Sequence, residues 1–447
     1  MTVAAPRPAI GRLRTPPTPT FCECELAGGL QAVAVRRRGI PLVELRLVFP
    51  LSARRLSRPS GPLLLSESVL SGTGVHDREE LAAAVERLGG TLTASVDGDC
   101  LELCASALAD RLRALLALVN EVLVGATYPA AEVRAVRARS ANEVVLLLSR
   151  PEVIADEALA KRLFAAHPYG SGIPRPETLG RIGASELRRL HRETFTAHAA
   201  HLVLVGDLQP RRALTLAETE LAAWLESSHV GEVQPQLPPI PAIRPGPLRL
   251  IDRPGSVQSN LRLGGPAPDR SCPDWPASAL ANVIIGGMFT SRLVENLRER
   301  HGYTYSPRST ISHGRAGSTT SIAAEVSTEA TAAAIVETRY ELGRAATGGV
   351  TDEEVEAARR YTIGSFLFQT ATQAGLASLL AKLARVGLGP DYLSTYPKLL
   401  ARAKRADVTA AARRYFSPSS MVTVVVGDAN AVVEPLSLLD TVTTSDT

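Results

Sequence analysis

One pattern of segments occurs twice along this 447-residue chain, and it limits the fold more than any other feature. The first copy ends in the apolar run HLVLVGDL, closing on Val205, Gly206 and Asp207. The second ends in MVTVVVGDA, closing on Val426, Gly427 and Asp428, so the two glycines lie 221 residues apart. A phenylalanine, Phe195 or Phe416, stands eleven residues before each glycine, after a basic helical stretch (LRRLHRETF and AARRYF). Upstream, AAEVRAVRAR from Ala130 matches DEEVEAARRY from Asp352 at an offset of 222. Matches at a nearly constant offset are expected of one supersecondary unit used twice; the other reading is two unrelated α+β domains with similar strand ends.

The copies are separated by a proline-rich stretch. From Pro235 to Pro247, six of thirteen residues are proline. Proline fixes its own φ and biases its neighbour toward extended backbone, so the stretch reads as a semi-rigid spacer. The expected division is a flexible lead-in over 1–17, an N-terminal domain over 18–228 and a linker over 229–247. A C-terminal domain over 248–436 and a flexible tail over 437–447 complete it. In the first copy, LQAVAVRRRG and PLVELRLVF read as strands, whereas GPLLLSESVLSGTG and REELAAAVERLGG read as helices ending at glycines. TLTASVDGD and CLELCASAL alternate as a hairpin, and RLRALLALVNEVLV is amphipathic at helical spacing. The fold class is therefore α+β: two homologous domains, each a mostly antiparallel sheet with helices on one face.

Composition removes several function classes. The 49 Lys+Arg against 45 Asp+Glu give a net charge of only +4, too small and too dispersed for a nucleic-acid binder. No apolar run reaches the ~18 residues of a membrane span, and MTVAAPRPAIGRLRTPPTPT lacks a secretory h-region. Five cysteines, an odd number in a long chain, suggest a reducing cytoplasm over a disulfide framework. No P-loop, G-x-G-x-x-G or G-x-S-x-G motif is present, leaving nucleotide binding and serine hydrolysis without support.

Two carboxylates stand in apolar surroundings, Glu67 within LLLSESVL and Glu143 within ANEVVLLL. An unpaired carboxylate is costly there, unless each simply lies on the exposed edge of its helix. Further on, Leu293 and Leu297 form a buried i,i+4 stripe on a helix that Gly302 ends. Arg298 then falls on the last turn and Tyr305, seven residues later, on the strand that follows. A cation and a phenol meeting at one edge could stabilise an oxyanion; equally, Arg298 could serve the helix macrodipole and Tyr305 be an ordinary strand residue.

The order of elements, the repeat, and the segments ERLGGTLTAS, HPYGSGIPRPETLGRI, IDRPGSVQSNLRLGG and GGMFTSRLVENLRERHGYTYS together resemble the insulinase/pitrilysin (inverzincin) peptidases. The similarity is to the bacterial branch with two-domain, dimeric subunits, and runs from about Phe21 to about Pro435. The family carries H-x-x-E-H on its first helix and a glutamate ligand about 75 residues on. The matching window here is Leu64-Leu65-Ser66-Glu67-Ser68. Both histidine positions are lost, to Leu64 and Ser68; Glu67 matches the general base, and Glu143, 75 residues past Ser68, matches the third ligand. Leucine has no lone pair and a neutral hydroxyl is a poor zinc ligand, so the chain is expected to bind no metal of its own. Arg298 and Tyr305, by contrast, match the family's pair that reaches the substrate carbonyl.

The resemblance implies a non-zinc-binding subunit of a heterodimeric zinc metallopeptidase that cuts short or unfolded peptides, for instance leaders of ribosomally made modified peptides. A homologous partner carrying H-x-x-E-H would hold the zinc, and this chain would supply Arg298, Tyr305, chamber wall and a sheet edge for the peptide. The alternative is a catalytically inert scaffold or peptide-binding protein of the same fold. His198 and His201 read as an exposed loop, and the pairs Cys22/Cys24 and Cys100/Cys104 as strand residues without a metal.

Overall fold

The computed structural model describes residues 19–227 and 236–446. The lead-in expected over 1–17 and the start of the linker, 229–235, lie outside the described residues.

The two apolar runs that opened the sequence comparison become inner strands of two six-stranded sheets. The first sheet is built from β1 (Phe21–Leu26), β2 (Leu30–Arg36), β3 (Leu42–Pro50), β4 (Thr91–Asp97), β5 (Cys100–Leu108) and β6 (His201–Gly206). Its order is β1-β2-β6-β3-β5-β4. The second contains β7 (Leu248–Asp252), β8 (Gln258–Ala267), β9 (Arg308–Gly314), β10 (Gly317–Ser327), β11 (Val422–Gly427) and β12 (Val442–Asp446), in the order β12-β7-β11-β8-β10-β9. Five strands of each sheet correspond: β2-β6-β3-β5-β4 and β7-β11-β8-β10-β9 share both order and direction. Only the first pair in each row is parallel. This is the α+β, two-sheet architecture expected from the repeat.

The sixth strand differs between the copies. β1 lies antiparallel on β2, whereas β12 lies parallel on β7. The flexible tail expected over 437–447 is thus corrected: Val442–Asp446 closes the second sheet. Its β-branched Val442, Thr443 and Thr444 suit a pleated edge better than a solvated tail.

Helices cover one face of each sheet, as expected, but the other face is covered as well. Helix Pro151–Phe164, from the first copy, packs on β8 and β11 of the second sheet; helix Gln373–Arg385, from the second copy, packs on β3 and β6 of the first. These helices are themselves equivalent, since each follows one of the repeated helices Ala130–Leu148 and Asp352–Gln369. The halves therefore exchange one helix each. Strand residues follow suit: Leu202 and Leu204 join the core of the first half, while Val203 and Val205 join the core that holds the exchanged helix.

Paired arginines mark the exchange. Arg46 on β3 and Arg262 on β8 are buried, and each stands opposite a valine, Val203 or Val424, three residues before the strand-ending glycine. Arg46 donates through Nε to Ser378 Oγ at 3.4 Å on one exchanged helix; Arg262 donates through Nε to Asp156 Oδ1 at 2.6 Å on the other. Both also donate to the carbonyl of the preceding residue, at 2.9 and 3.0 Å. Arg37 and Arg253 repeat the pattern at the ends of the exchanged helices, donating to the carbonyls of Ala371 (2.7 Å) and Ser149 (2.9 Å).

A third tie lies between the hairpins. Asp99, in the β4–β5 turn, is 1% exposed. It accepts hydrogen bonds from Tyr169 Oη, from the Arg315 backbone N–H at 2.8 Å in the β9–β10 turn, and from Arg385 Nη2 at 3.2 Å on an exchanged helix. Gly98, with φ +60°, makes the turn that admits Arg385. Burial alone would raise the Asp99 carboxyl, but these hydrogen bonds and the Arg315 and Arg385 charges outweigh it and hold its pKa below the ordinary value. A group depressed in the folded state adds stability above its unfolded pKa and loses it as pH falls through the folded one. Asp99→Asn is therefore expected to cost about 3 kcal/mol at pH 7, leaving buried arginines short of a partner. In urea melts the gap from the parent should narrow steadily once pH drops below about 4; a gap that stays constant to pH 3 would refute the assignment.

Candidate functional site

The motif window lies on helix Ser60–Ser68, and its inner face is fixed by apolar packing. Leu64 and Leu65 are 0% and 1% exposed and belong to the first core. Glu67, one residue before Ser68, therefore points outward. Ser68 is buried, and its Oγ has no hydrogen-bond partner among the described residues. The carboxylate is not isolated. Arg139, on helix Ala130–Leu148, donates through Nη2 to Glu67 Oε2 at 3.2 Å, and its Nε stands 3.8 Å from Glu143 Oε1 one turn on. A guanidinium thus lies between the two carboxylates that the sequence aligns with the family's base and third ligand.

Two acidic groups near one point repel unless a cation stands between them, and Arg139 supplies a fixed one. The donor set does not fit zinc: Leu64 has no lone pair, Ser68 offers a neutral hydroxyl, and the carboxylates already face an arginine. Among the described residues no group of three or more His, Cys, Asp or Glu side chains could hold a metal ion. Sequence reasoning missed Arg139; its i,i+4 spacing to Glu143 was the available signal.

In the second half the structure brings Arg298 and Tyr305 together, by a route that differs from the expected one. Leu293 and Leu297 are fully buried. The segment Val294–Arg300, however, winds as a π-helix, with the His301 N–H reaching Asn296 O at 3.2 Å. Asn296 donates to Glu337 Oε2 and Glu341 Oε1, both at 2.9 Å, which anchors the turn from inside. Such wide turns recur at functional positions. Gly302, at φ +65°, ends the segment. Tyr305 is not on a strand: it sits in the loop before β9, which starts only at Arg308, after Pro307.

Arg298 is clamped between two rings. Its Cζ lies 4.6 Å from the Tyr305 ring centroid and 4.8 Å from that of Phe289, and its Nε stands 3.2 Å from Glu299 Oε1. Tyr305 and Phe289 are 79% and 68% exposed, so the stack faces solvent. Cation–π stacking restricts the guanidinium, Glu299 takes its Nε, and its Nη groups are the donors that could meet a further oxygen acceptor. Phe289 was the residue that sequence reasoning overlooked.

The weaker candidates also resolve. His201 is not in an exposed loop; it opens β6, and burial, with the charge of Arg315, pushes its pKa down. All five cysteines are free thiols.

Restoring the donors tests the displacement of metal by Arg139. Leu64→His with Ser68→His and Arg139→Ala should recover close to one zinc per chain by elemental analysis after dialysis. The double histidine variant that keeps Arg139 should bind at least tenfold more weakly. One tightly held zinc in the unaltered chain would contradict the account.

Comparison with known proteins places these features. Residues 181–362 match the family described as the peptidase M16 inactive domain. An uncharacterized zinc protease of Mycobacterium leprae is 21% identical over 293 residues, 65% of this chain and 65% of that protein, so just under two thirds of the relative is spanned. One from Streptomyces coelicolor is 23% identical over 371 residues, 81% of this chain and 78% of the other. Among solved structures, a peptidase M16 inactive domain from Pseudomonas fluorescens superposes with a TM-score of 0.83 at 24% identity, covering 92% of this chain and 98% of that one. A protease from Helicobacter pylori gives 0.82 at 18%, covering 91% and 99%. The match over 181–362 and the two-sheet fold make this chain similar to M16 peptidases, over that stretch to their inactive domain, and distantly similar to uncharacterized zinc proteases.

Proposed function

We propose that this chain is the zinc-less subunit of a heterodimeric zinc metallopeptidase acting on short or unfolded peptides. One observation carries the reading: the half that should hold metal has an arginine between its carboxylates, while the other half sets a half-buried Arg298 against an exposed Tyr305. In this reading a homologous partner carries H-x-x-E-H and its zinc, which polarises the scissile carbonyl. This chain's own part is to bind and orient. The Arg298 guanidinium and the Tyr305 hydroxyl would meet the carbonyl oxygen across the interface, and β4, the outer strand of its sheet, would take the peptide as an added strand. Leader peptides of ribosomally made products suit such a chamber. The compartment would be the cytoplasm, in keeping with five unpaired thiols; no helix among the described residues is long and apolar enough to cross a membrane.

The Phe289–Arg298–Tyr305 stack favours a second reading, an inert scaffold or peptide binder, because a stacked guanidinium also serves local packing. Activity separates the two. With a co-purified partner bearing H-x-x-E-H, Arg298→Ala plus Tyr305→Phe should lower kcat by about 10²- to 10³-fold with little change in assembly. Full activity in that double variant would favour the scaffold.

A further inference from the structure

The exchanged helix Pro151–Phe164 leaves a cavity of about 460 Å³ along its flank, against β7 and β12 of the second sheet. Nothing in the peptidase reading uses it. Leu148, Ile154 and Ile251 make one part of its wall apolar, and Glu157, Lys161, Arg175 and Arg249 make another part charged. The volume is that of a small-ligand site.

The charges on this wall do not balance. Glu157 supplies its single carboxylate among the described residues, and that side chain is 8% exposed. Two cations share its Oε1: Arg175 Nη2 at 2.6 Å and Lys161 Nζ at 3.2 Å. Arg249, on β7, makes no ion pair among the described residues. Successive strand residues alternate, so Arg249 shares its face with Ile251, which packs on the exchanged helix. Three cations against one carboxylate leave two positive charges unbalanced. Ser445 on β12 adds a hydroxyl whose buried Oγ has no hydrogen-bond partner among the described residues.

An occupant that suits both parts of the wall carries negative charge at one end and an apolar body at the other. A phosphate monoester has a charge of about −2 at neutral pH and offers three strong acceptor oxygens. Arginine meets such oxygens through parallel N–H groups, and lysine meets them as a point charge. A carboxylate brings about half that charge. Inorganic phosphate would leave the surface of Leu148, Ile154 and Ile251 in water.

We infer that this cavity binds a small organic phosphate monoester, its phosphate held by Arg249, Lys161 and Arg175 and its apolar body lying on Leu148, Ile154 and Ile251. The site shares no residue with the Glu67–Arg139–Glu143 cluster or the Arg298–Tyr305 stack, so its test needs neither a partner subunit nor peptidase activity.

The test titrates the full chain by calorimetry with phenyl phosphate, benzoate, phenol and inorganic phosphate at constant ionic strength. Phenyl phosphate should bind once per chain, with a Kd of about 0.1 mM. Benzoate and inorganic phosphate should each bind about tenfold more weakly or worse, and phenol should not bind. Arg249→Gln, at an exposed strand position, should weaken phenyl phosphate about tenfold and leave the melting temperature unchanged. Glu157→Gln keeps an acceptor for Arg175 but removes the competing charge, so it should tighten binding; weaker binding there would refute the charge argument. Equal affinity for phenyl phosphate and inorganic phosphate would mean an adventitious ion only and overturn the assignment. Indifference to Arg249→Gln, or no binding of phenyl phosphate, would overturn it as well. A phosphotyrosine peptide that binds about tenfold more tightly than phenyl phosphate would make the occupant a protein segment and overturn it too.

Discussion

The reciprocal exchange of helices Pro151–Phe164 and Gln373–Arg385 is the constraint on which the rest of this structure depends. Neither sheet is complete alone. Val203 and Val205 on one side, and Val422, Val424 and Val426 on the other, need a helix that the opposite half provides. Arg46 and Arg262 sharpen the dependence. A buried guanidinium without partners is costly, and each reaches across to the exchanged helix. The two copies consequently fold as one body, and Asp99 locks their hairpins at the same seam. A rigid seam suits a chain whose task, in the proposed reading, is to hold a peptide edge and a distant arginine–tyrosine pair in fixed relation.

Within that symmetric frame the two halves have diverged in what they present. In the proposed reading the first keeps the helix and the two carboxylates of a metal site, with Leu64 and Ser68 standing where the ligands would be. The second has no such scar and gathers Phe289, Arg298 and Tyr305 on a π-helix and the loop after it. Leu64 fits there without disturbance, because it packs with Leu65 in the core of the first half.

Much of the fold was legible in the sequence, and the parts that were not have physical reasons. The Gly206 and Gly427 strand ends, with the helical match at Ala130 and Asp352, were enough to find both sheets. The exchange was missed, although Leu202–Val205 and Val424–Val426 are unbroken apolar runs, the pattern of strands buried on both faces. Val442–Asp446, expected within the tail, instead pairs in parallel with β7, a long-range contact that no local pattern announces. Tyr305 was placed on a strand that Pro307 holds off, since proline gives no N–H to a ladder. The sequence singles out Glu67, Glu143, Leu64 and Ser68 but not Arg139, the partner that the structure gives the two carboxylates. An Arg–Glu pair one turn apart is so common on solvated helices that Arg139 carried no distinctive signal.

Arg139 also changes what kind of object the degenerate site is. A bound metal ion is on loan from its surroundings: it follows supply, is withdrawn by chelators and departs as its ligands take up protons. A guanidinium is covalently part of the chain and keeps its charge at any pH a cell reaches. By pairing with Glu67 and Glu143 it makes the charge balance of the first half a property of the polypeptide itself, independent of metal homeostasis. In a two-subunit peptidase, scarcity of zinc would then silence the partner and leave this half assembled and ready.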